Sequence, residues 1–313
     1  MRVVYAGTPE FSVPCLQALS NRASVKIVAV YTQPDRRAGR GKKPATSPVK
    51  NLAGQLGLPV FQPESLQDTG AQEQLRALRP DLVLVVAYGL ILPAAVLETP
   101  RLGCLNIHAS LLPRWRGAAP VQRAIEHGDT RTGVTLMQLQ PQLDSGPVLA
   151  QREIRIGSEE TGGMLQDRLA RLGARLIEDT LEDVERKQLV PEPQDPLQAT
   201  YAAKLTKAES GLDWGRDAQH LERKIRAFNP WPVATARICG LTLRIHKACG
   251  GPRGGRARCG RILRADKQGI LVQAGGGTLN LEILQKPGGR PLAAADLLNG
   301  MPLQPGMVFE PPA

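Results

Sequence analysis

Apolar positions follow two different rhythms along this chain. In the first half they gather into short unbroken runs, MRVVYAG (1–7), VKIVAVY (25–31), DLVLVVA (81–87), GCLNIH (103–108) and GVTLMQL (133–139), which predict buried strands. Between them, residues 9–20, 48–56, 66–78 and 118–127 carry apolar side chains at helical spacing with polar residues in the gaps. Continuous apolar strands alternating with amphipathic helices predict a doubly wound α/β domain. Its sheet should be mostly parallel, Rossmann-like and covered on both faces. In such sheets ligands bind beyond the carboxyl ends of the strands.

A longer helix is expected over 163–187, where Leu165, Leu169, Leu172, Leu176 and Val184 recur with charges between them. PEPQDP (191–196) follows, and its three prolines favour extended chain. A helix at about 216–228 stops at FNPWP. From Ala234 onward the pattern changes to short runs bounded by glycine (ATARI, LTLRIHKA, GRILRA, GILVQA, TLNLEIL), which predict a small antiparallel barrel. The expected organisation is a domain over 1–189, a linker over 190–205 and a second domain over 206–313.

Charge sharpens this division. The net charge is +11; residues 1–203 hold 23 basic and 21 acidic side chains, whereas residues 204–313 hold 17 and 8. A surface so basic suits a polyanion, since neutralised phosphates release counterions. Charge alone leaves a basic domain without a ligand equally open. The tract CGGPRGGRARCGR (249–261) is read as a loop between strands, as open to being plain solvated chain as an RNA contact. The five cysteines lack the two-to-four-residue pairing of zinc sites, so no metal is expected and they are read as reduced thiols. Neither a signal-peptide pattern nor an apolar run long enough to span a bilayer occurs, so a cytoplasmic location is expected.

The first β-α turn, AGTPEF, offers only Gly7 where a dinucleotide site needs G-x-G-x-x-G, which argues against a nicotinamide enzyme. NIHASLLPRWRGAAP (106–120) is more informative. Asn106 and His108, two residues apart at the end of an apolar strand, can point to one side of the pleat. Asp144, in LDSGP, is a third candidate, although an aspartate before Ser-Gly commonly bonds its own turn. QPDRRAGRGKKPATSPVK (33–50) carries six cations between Arg36 and Lys50 and no acid, and should be an exposed loop after the second strand.

These segments, with VVAYGLILP (85–93), IRAFNPWP (225–232) and the basic barrel, resemble the methionyl-tRNA formyltransferases over about residues 1–300. Asn-x-His and SLLP alone would indicate only the wider folate-formyltransferase superfamily. The basic loop, the IRAFNPWP junction and the second domain narrow the likeness. The resemblance implies transfer of a formyl group from 10-formyltetrahydrofolate to the α-amine of initiator methionyl-tRNA by a monomeric enzyme that needs no metal. Asn106, His108 and Asp144 match the family's catalytic triad. Ser110, Leu111, Leu112 and Pro113 match its folate segment, with Val86, Tyr88, Gly89 and Leu90 expected around the pteridine. Arg40, Lys42 and Lys43 fall in the loop applied to the tRNA acceptor end, and the last domain resembles an OB-fold. Two positions depart from the family pattern: Gln142 replaces a glycine shortly before Asp144, and Cys259 stands where proline is usual. The same triad chemistry would serve a sugar-nucleotide amine, a purine precursor or hydrolysis of the formyl-folate. An RNA-binding protein that has lost catalysis is the rival from another class.

Overall fold

In the computed structural model, residues 1–38, 43–252 and 257–312 are described, without the side chains of 37, 38, 43 and 44. The chain forms two compact units. One comprises Met1–Pro120, Arg131–Ile154 and Gln166–Ala202; the other comprises Val121–Thr130, Arg155–Leu165 and Ala203–Ala313.

The first unit contains strands β1 (Arg2–Gly7), β2 (Lys26–Tyr31), β3 (Arg36–Ala38), β4 (Lys43–Ala45), β5 (Val60–Phe61), β6 (Leu82–Val86), β7 (Cys104–His108) and β8 (Arg116–Gly117). After these come β9 (Arg131–Gln138), β10 (Val148–Arg155, whose last residue falls to the second unit) and β11 (Tyr201–Ala202). Seven of them make the main sheet, in the order β10-β9-β7-β6-β1-β2-β5. From β5 through β7 neighbouring strands are parallel, and β9 runs antiparallel to β7. The sheet is therefore mostly parallel, as the apolar runs indicated. Strand order reverses at β1, with β2 on one side and β6 on the other, which opens a crevice at their carboxyl ends.

Every residue of β6 and β7 is buried, because an interior strand is covered on both faces. Helix α1 (Val13–Ser20) follows a 3-10 turn at Glu10–Ser12, so the expected helix over 9–20 begins as a tighter turn. Helices α2 (Pro48–Gln55) and α3 (Thr69–Ala77) start on side-chain caps. Ser47 Oγ accepts from Lys50 N and Asp68 Oδ2 from Ala71 N, which satisfies first-turn donors that have no partner in the helix. Gly7 ends β1 where no side chain fits: a Cβ there would lie 2.8 Å from Ser12 Cβ and 3.0 Å from Val86 O. The lone glycine of AGTPEF thus serves close packing of β1 on the start of the next helix. The remaining helices of the chain are α4 (Ala94–Leu97), α5 (Pro120–His127), α6 (Gly162–Arg186), α7 (Ala218–Ala227) and α8 (Ala294–Asn299).

The second unit is built on an antiparallel sheet of β12 (Ala234–Ile238), β13 (Leu241–Gly250), β14 (Ile262–Asp266), β15 (Gly269–Gln273), β16 (Thr278–Gln285) and β17 (Leu292–Ala293). The order is β12-β13-β16-β15-β14, with β17 on β16. The seam between the outer strands is filled by the chain's last residues. Glu310 N donates to Arg237 O at 2.8 Å, Phe309 N to Gly260 O at 2.8 Å and Ile262 N to Met307 O at 2.8 Å. Such closure covers both edges and makes the unit barrel-like. Phe309, 2% exposed, seals it against Trp214 with ring centroids 5.1 Å apart.

Removing that ring should loosen the seam. Phe309→Ala is expected to cost the second unit about 3–5 kcal/mol. Calorimetry should show its transition moving down while that of the first unit stays; an unmoved pair of transitions would contradict the seam's role.

Candidate active site

All three members of the expected triad lie in the first unit, at the carboxyl ends of its strands. Asn106 and His108 sit in β7, whose alternation places both side chains on one face. They are 8% and 6% exposed. His108 Nε2 is 2.9 Å from the carbonyl oxygen of Trp115. A carbonyl only accepts, so Nε2 carries hydrogen, and Nδ1 is left as the nitrogen that can gain or lose a proton. Nδ1 faces Asp144 Oδ2 at 3.7 Å. That is longer than a hydrogen bond, yet close enough for the carboxylate's charge to be felt in a site where both side chains are mostly buried.

Asp144 does not merely cap its own turn. Its Oδ2 accepts from Gly117 N at 2.8 Å, a residue 27 positions earlier in the chain. Its backbone lies in the left-handed region with φ 45°, which is uncommon for a residue with a Cβ. Ala87 (φ 47°) and Trp115 (φ 62°) share this feature, so one non-glycine residue in each of the loops after β6, β7 and β9 holds such an angle. Gly146 supports the loop by lacking a side chain, since a Cβ there would lie inside contact distance of Gln138 O.

Asn106 has no hydrogen-bond partner for its side-chain amide among the described residues. A mostly buried amide with donors free is suited to a bound oxygen.

The segments expected to hold folate are fixed from behind. Thr8 Oγ1 donates to Tyr88 O at 2.9 Å, Gln33 Nε2 to Gly89 O at 3.0 Å and Ser12 Oγ to Val86 O at 2.5 Å. Val86 and Tyr88 are buried, Gly89 is exposed and Leu90 half-buried, and Ile91 stands 78% exposed. Leu90, Leu92 and Leu139 pack on one buried cluster that includes Val85 and Tyr88, so this loop and the one leading to Asp144 share a support. Burial drives the Tyr88 hydroxyl far above its ordinary range and the Tyr31 hydroxyl up to about 12, which keeps both neutral.

Ser110 is fully buried, and its Oγ donates to Arg114 O at 2.6 Å. Leu112 is buried, while Leu111 and Pro113 are half-buried. Arg40 and Lys42 lie outside the described residues, and of Lys43 only its backbone place in β4 is described.

Sequence reasoning missed the residue that ties this corner together. Thr135 Oγ1 donates to Ser110 O at 2.6 Å and accepts from Leu112 N at 3.1 Å and Gln151 Nε2 at 2.9 Å. It pairs with His108 across β9 and β7. Its only signal was a hydroxyl in the apolar run GVTLMQL. Among the described residues no group of three or more His, Cys, Asp or Glu side chains could hold a metal ion. No helix there is long and apolar enough to cross a membrane.

Comparisons with known proteins define the class. The formyl transferase family model matches residues 1–181, and the model of the formyl transferase C-terminal domain matches residues 204–302. Among solved structures, an N-formyltransferase from Helicobacter canadensis in complex with folinic acid and dTDP-3-aminofucose shares the fold. Its TM-score is 0.66 at 16% identity, covering 89% of this chain and 98% of that one. HypX from Aquifex aeolicus in complex with tetrahydrofolic acid gives a TM-score of 0.62 at 18% identity, covering 95% of this chain and 47% of that one. Curated relatives are far more similar in sequence. Methionyl-tRNA formyltransferase of Stutzerimonas stutzeri is 55% identical over 99% of this chain and 98% of its own length. That of Stenotrophomonas maltophilia K279a is 54% identical over 96% and 97%. The chain belongs to the methionyl-tRNA formyltransferase family.

Thr135 yields a sharp expectation. Thr135→Val keeps the shape but takes the hydroxyl from Ser110 O and Leu112 N, while the half-buried Gln151 amide keeps its bond to Leu112 O. Unsatisfied buried groups cost about 1–3 kcal/mol apiece, so chemical denaturation should show a loss of roughly 2 kcal/mol or more; a midpoint equal to wild type would remove Thr135 from this role.

Proposed function

We propose that this protein transfers the formyl group of 10-formyltetrahydrofolate to the α-amino group of methionine on initiator methionyl-tRNA, for translation initiation. The observation that carries the reading is the arrangement of three side chains: an imidazole held by Nε2, a carboxylate facing its Nδ1, and an unpartnered amide two residues before it. The free Asn106 amide, the exposed Ile91 and the 62% exposed Leu143 suit a ligand with polar edges and apolar faces, as a folate is. Val86, Tyr88, Gly89 and Leu90 would surround its pteridine, chiefly through backbone, and Ser110–Pro113 would border it. When bound, the folate supplies an N10-formyl group whose carbonyl carbon is open to attack by an amine.

The chain's own groups then divide the work. Asn106 donates toward the formyl oxygen, where negative charge develops. Neutral His108 takes the amine's proton at Nδ1, the one ring nitrogen with a lone pair. The carboxylate of Asp144 offsets the positive charge that the ring thereby gains. The same Nδ1–H can next be given to the departing nitrogen, so the imidazole returns to its starting state.

In this reading residues 1–189 catalyse, 190–205 connect and 206–313 hold the tRNA. Arg40, Lys42 and Lys43 meet the acceptor end. Arg244, Arg258, Arg261, Lys267 and Arg290 make no ion pair among the described residues of the second unit, which leaves their charge for phosphates. The protein acts as a cytoplasmic monomer.

The direct test is formylation of methionyl initiator tRNA by purified protein, beside elongator methionyl-tRNA. Initiator should react rapidly and elongator weakly, and Asn106→Ala should lower kcat by roughly 10²–10³. His108→Ala should abolish turnover. No formylated tRNA, with formyl transferred instead to a sugar-nucleotide amine, would move the protein to another branch of the family's fold. Arg261→Ala and Arg244→Ala should each raise the Kd for tRNA modestly and flatten its dependence on salt by somewhat less than one ion; salt-independent binding would contradict the electrostatic role of the second unit.

A further inference from the structure

The residue whose placement is hardest to explain as simple connection is Gln194. It lies in PEPQDP, and from 190 to 198 it is the one residue that is not exposed. Its Nε2 donates to Asp144 O at 2.9 Å and to Gly146 O at 2.7 Å. Its Oε1 accepts from Arg116 Nε at 3.0 Å and from the same guanidinium's NH2 group at 2.8 Å. A guanidinium only donates, so its partner must be the amide oxygen, and the amide nitrogen is thereby turned to the two carbonyls. Arg116 is only 6% exposed, so its charge polarises the amide in a poorly solvated place and strengthens what the nitrogen donates.

The loop it holds is anchored at its ends, where Leu139 N donates to Cys104 O at 2.8 Å and Gln138 N to Pro147 O at 2.9 Å. Between those ends residues 140–143 are all exposed, Leu143 at 62%. Asp144 keeps a left-handed φ of 45°. Beyond the loop's ends, its contacts to the rest of the unit are polar: Gly117 N on the carboxylate and Gln194 on two successive-but-one carbonyls. The segment that carries Gln194 is itself pinned on both sides. Glu192 exchanges two backbone hydrogen bonds of 2.8 Å with Val148. Thr200 O accepts from Arg116 N at 2.8 Å and Thr200 Oγ1 from Trp115 N at 2.9 Å. Trp115 is the residue whose carbonyl holds His108. The stretch 192–202 therefore braces both partners of the reactive pair from one strip of chain.

We propose that Gln194 is a positioning residue for the reaction, setting the distance between the Asp144 carboxylate and His108 Nδ1 by clamping the Asp144 loop to Arg116. This rests on the reading of His108 and Asp144 as the reactive pair. A primary amide is needed, since it alone accepts at one end and donates twice at the other. Glutamate would keep Arg116 and lose the loop, turning a carboxylate toward two carbonyl oxygens. Methionine would fill the space and lose both.

The test is steady-state formylation of methionyl initiator tRNA by full-length Gln194→Met and Gln194→Glu, with unfolding midpoints measured alongside. Misplacing a reactive group by about 1 Å can cost on the order of 10² in rate. The expected result is kcat per folded molecule lower by roughly 10–100-fold in both variants, with KM for the tRNA within about twofold; the midpoint falls, most in Gln194→Met, which leaves the buried Arg116 guanidinium without this partner. Amide exchange at Ser145 and Gly146 should quicken. If either variant keeps wild-type kcat per folded molecule, or if kcat falls only in step with the folded fraction, the proposal is overturned. His108→Ala runs as the control: a dead His108→Ala beside fully active Gln194 variants defeats this proposal alone, whereas an active His108→Ala defeats the underlying reading as well.

Discussion

The carbonyl oxygen of Trp115 accepts a hydrogen bond from His108 Nε2, and it has no proton to return. That asymmetry decides which face of the imidazole can do proton chemistry. With Nε2 committed, Nδ1 is the one nitrogen whose state can change, and Asp144 stands before it. The carbonyl can be there because Trp115 holds a left-handed φ, and that angle is kept by hydrogen bonds from the backbone on either side to Thr200. Ser110, Thr135 and Leu112 then fix the turn between His108 and Trp115. A single polar contact at the site thus depends on three separate strips of chain meeting correctly.

Those strips are far apart in sequence, which explains the division between what the residues disclosed and what they hid. Runs such as DLVLVVA and GCLNIH signal their structure locally, because an interior strand must be apolar throughout, and both strands lie where the pattern put them. Asn106 and His108 were visible for a related reason: two polar side chains at the end of such a run need an explanation. β10 left no equivalent mark. It lies at the edge of the sheet, half-buried to exposed, and QRE in its middle looks like loop.

Gln194 was hidden more thoroughly. Its partners are 48, 50 and 78 residues away, and a glutamine among prolines has no periodicity to betray a role. Thr135 falls between these cases, audible as one hydroxyl in an apolar strand but silent about its three partners. Asp144 could be read either as a turn residue or as a catalytic one, and its bond to Gly117 N is a long-range fact that no local pattern carries. Long-range polar contacts are chosen by geometry that exists only after the sheet has formed, so sequence shows candidates for them and seldom the pairing.

The seam of the second unit has a consequence for how the protein is made. Residues 306–310 lie between Arg237 on one side and Ile262 on the other, so the unit's sheet cannot close until they have left the ribosome. Translation proceeds at about 5–20 residues per second. Throughout the synthesis of the intervening stretch, the part of β12 around Arg237, beyond the bond from Leu212 N to Thr235 O, and the edge of β14 therefore wait with unpaired backbone groups open to other chains. Residues 204–313 carry 17 basic against 8 acidic side chains, and like charges on neighbouring nascent chains repel, which opposes pairing of the waiting edges.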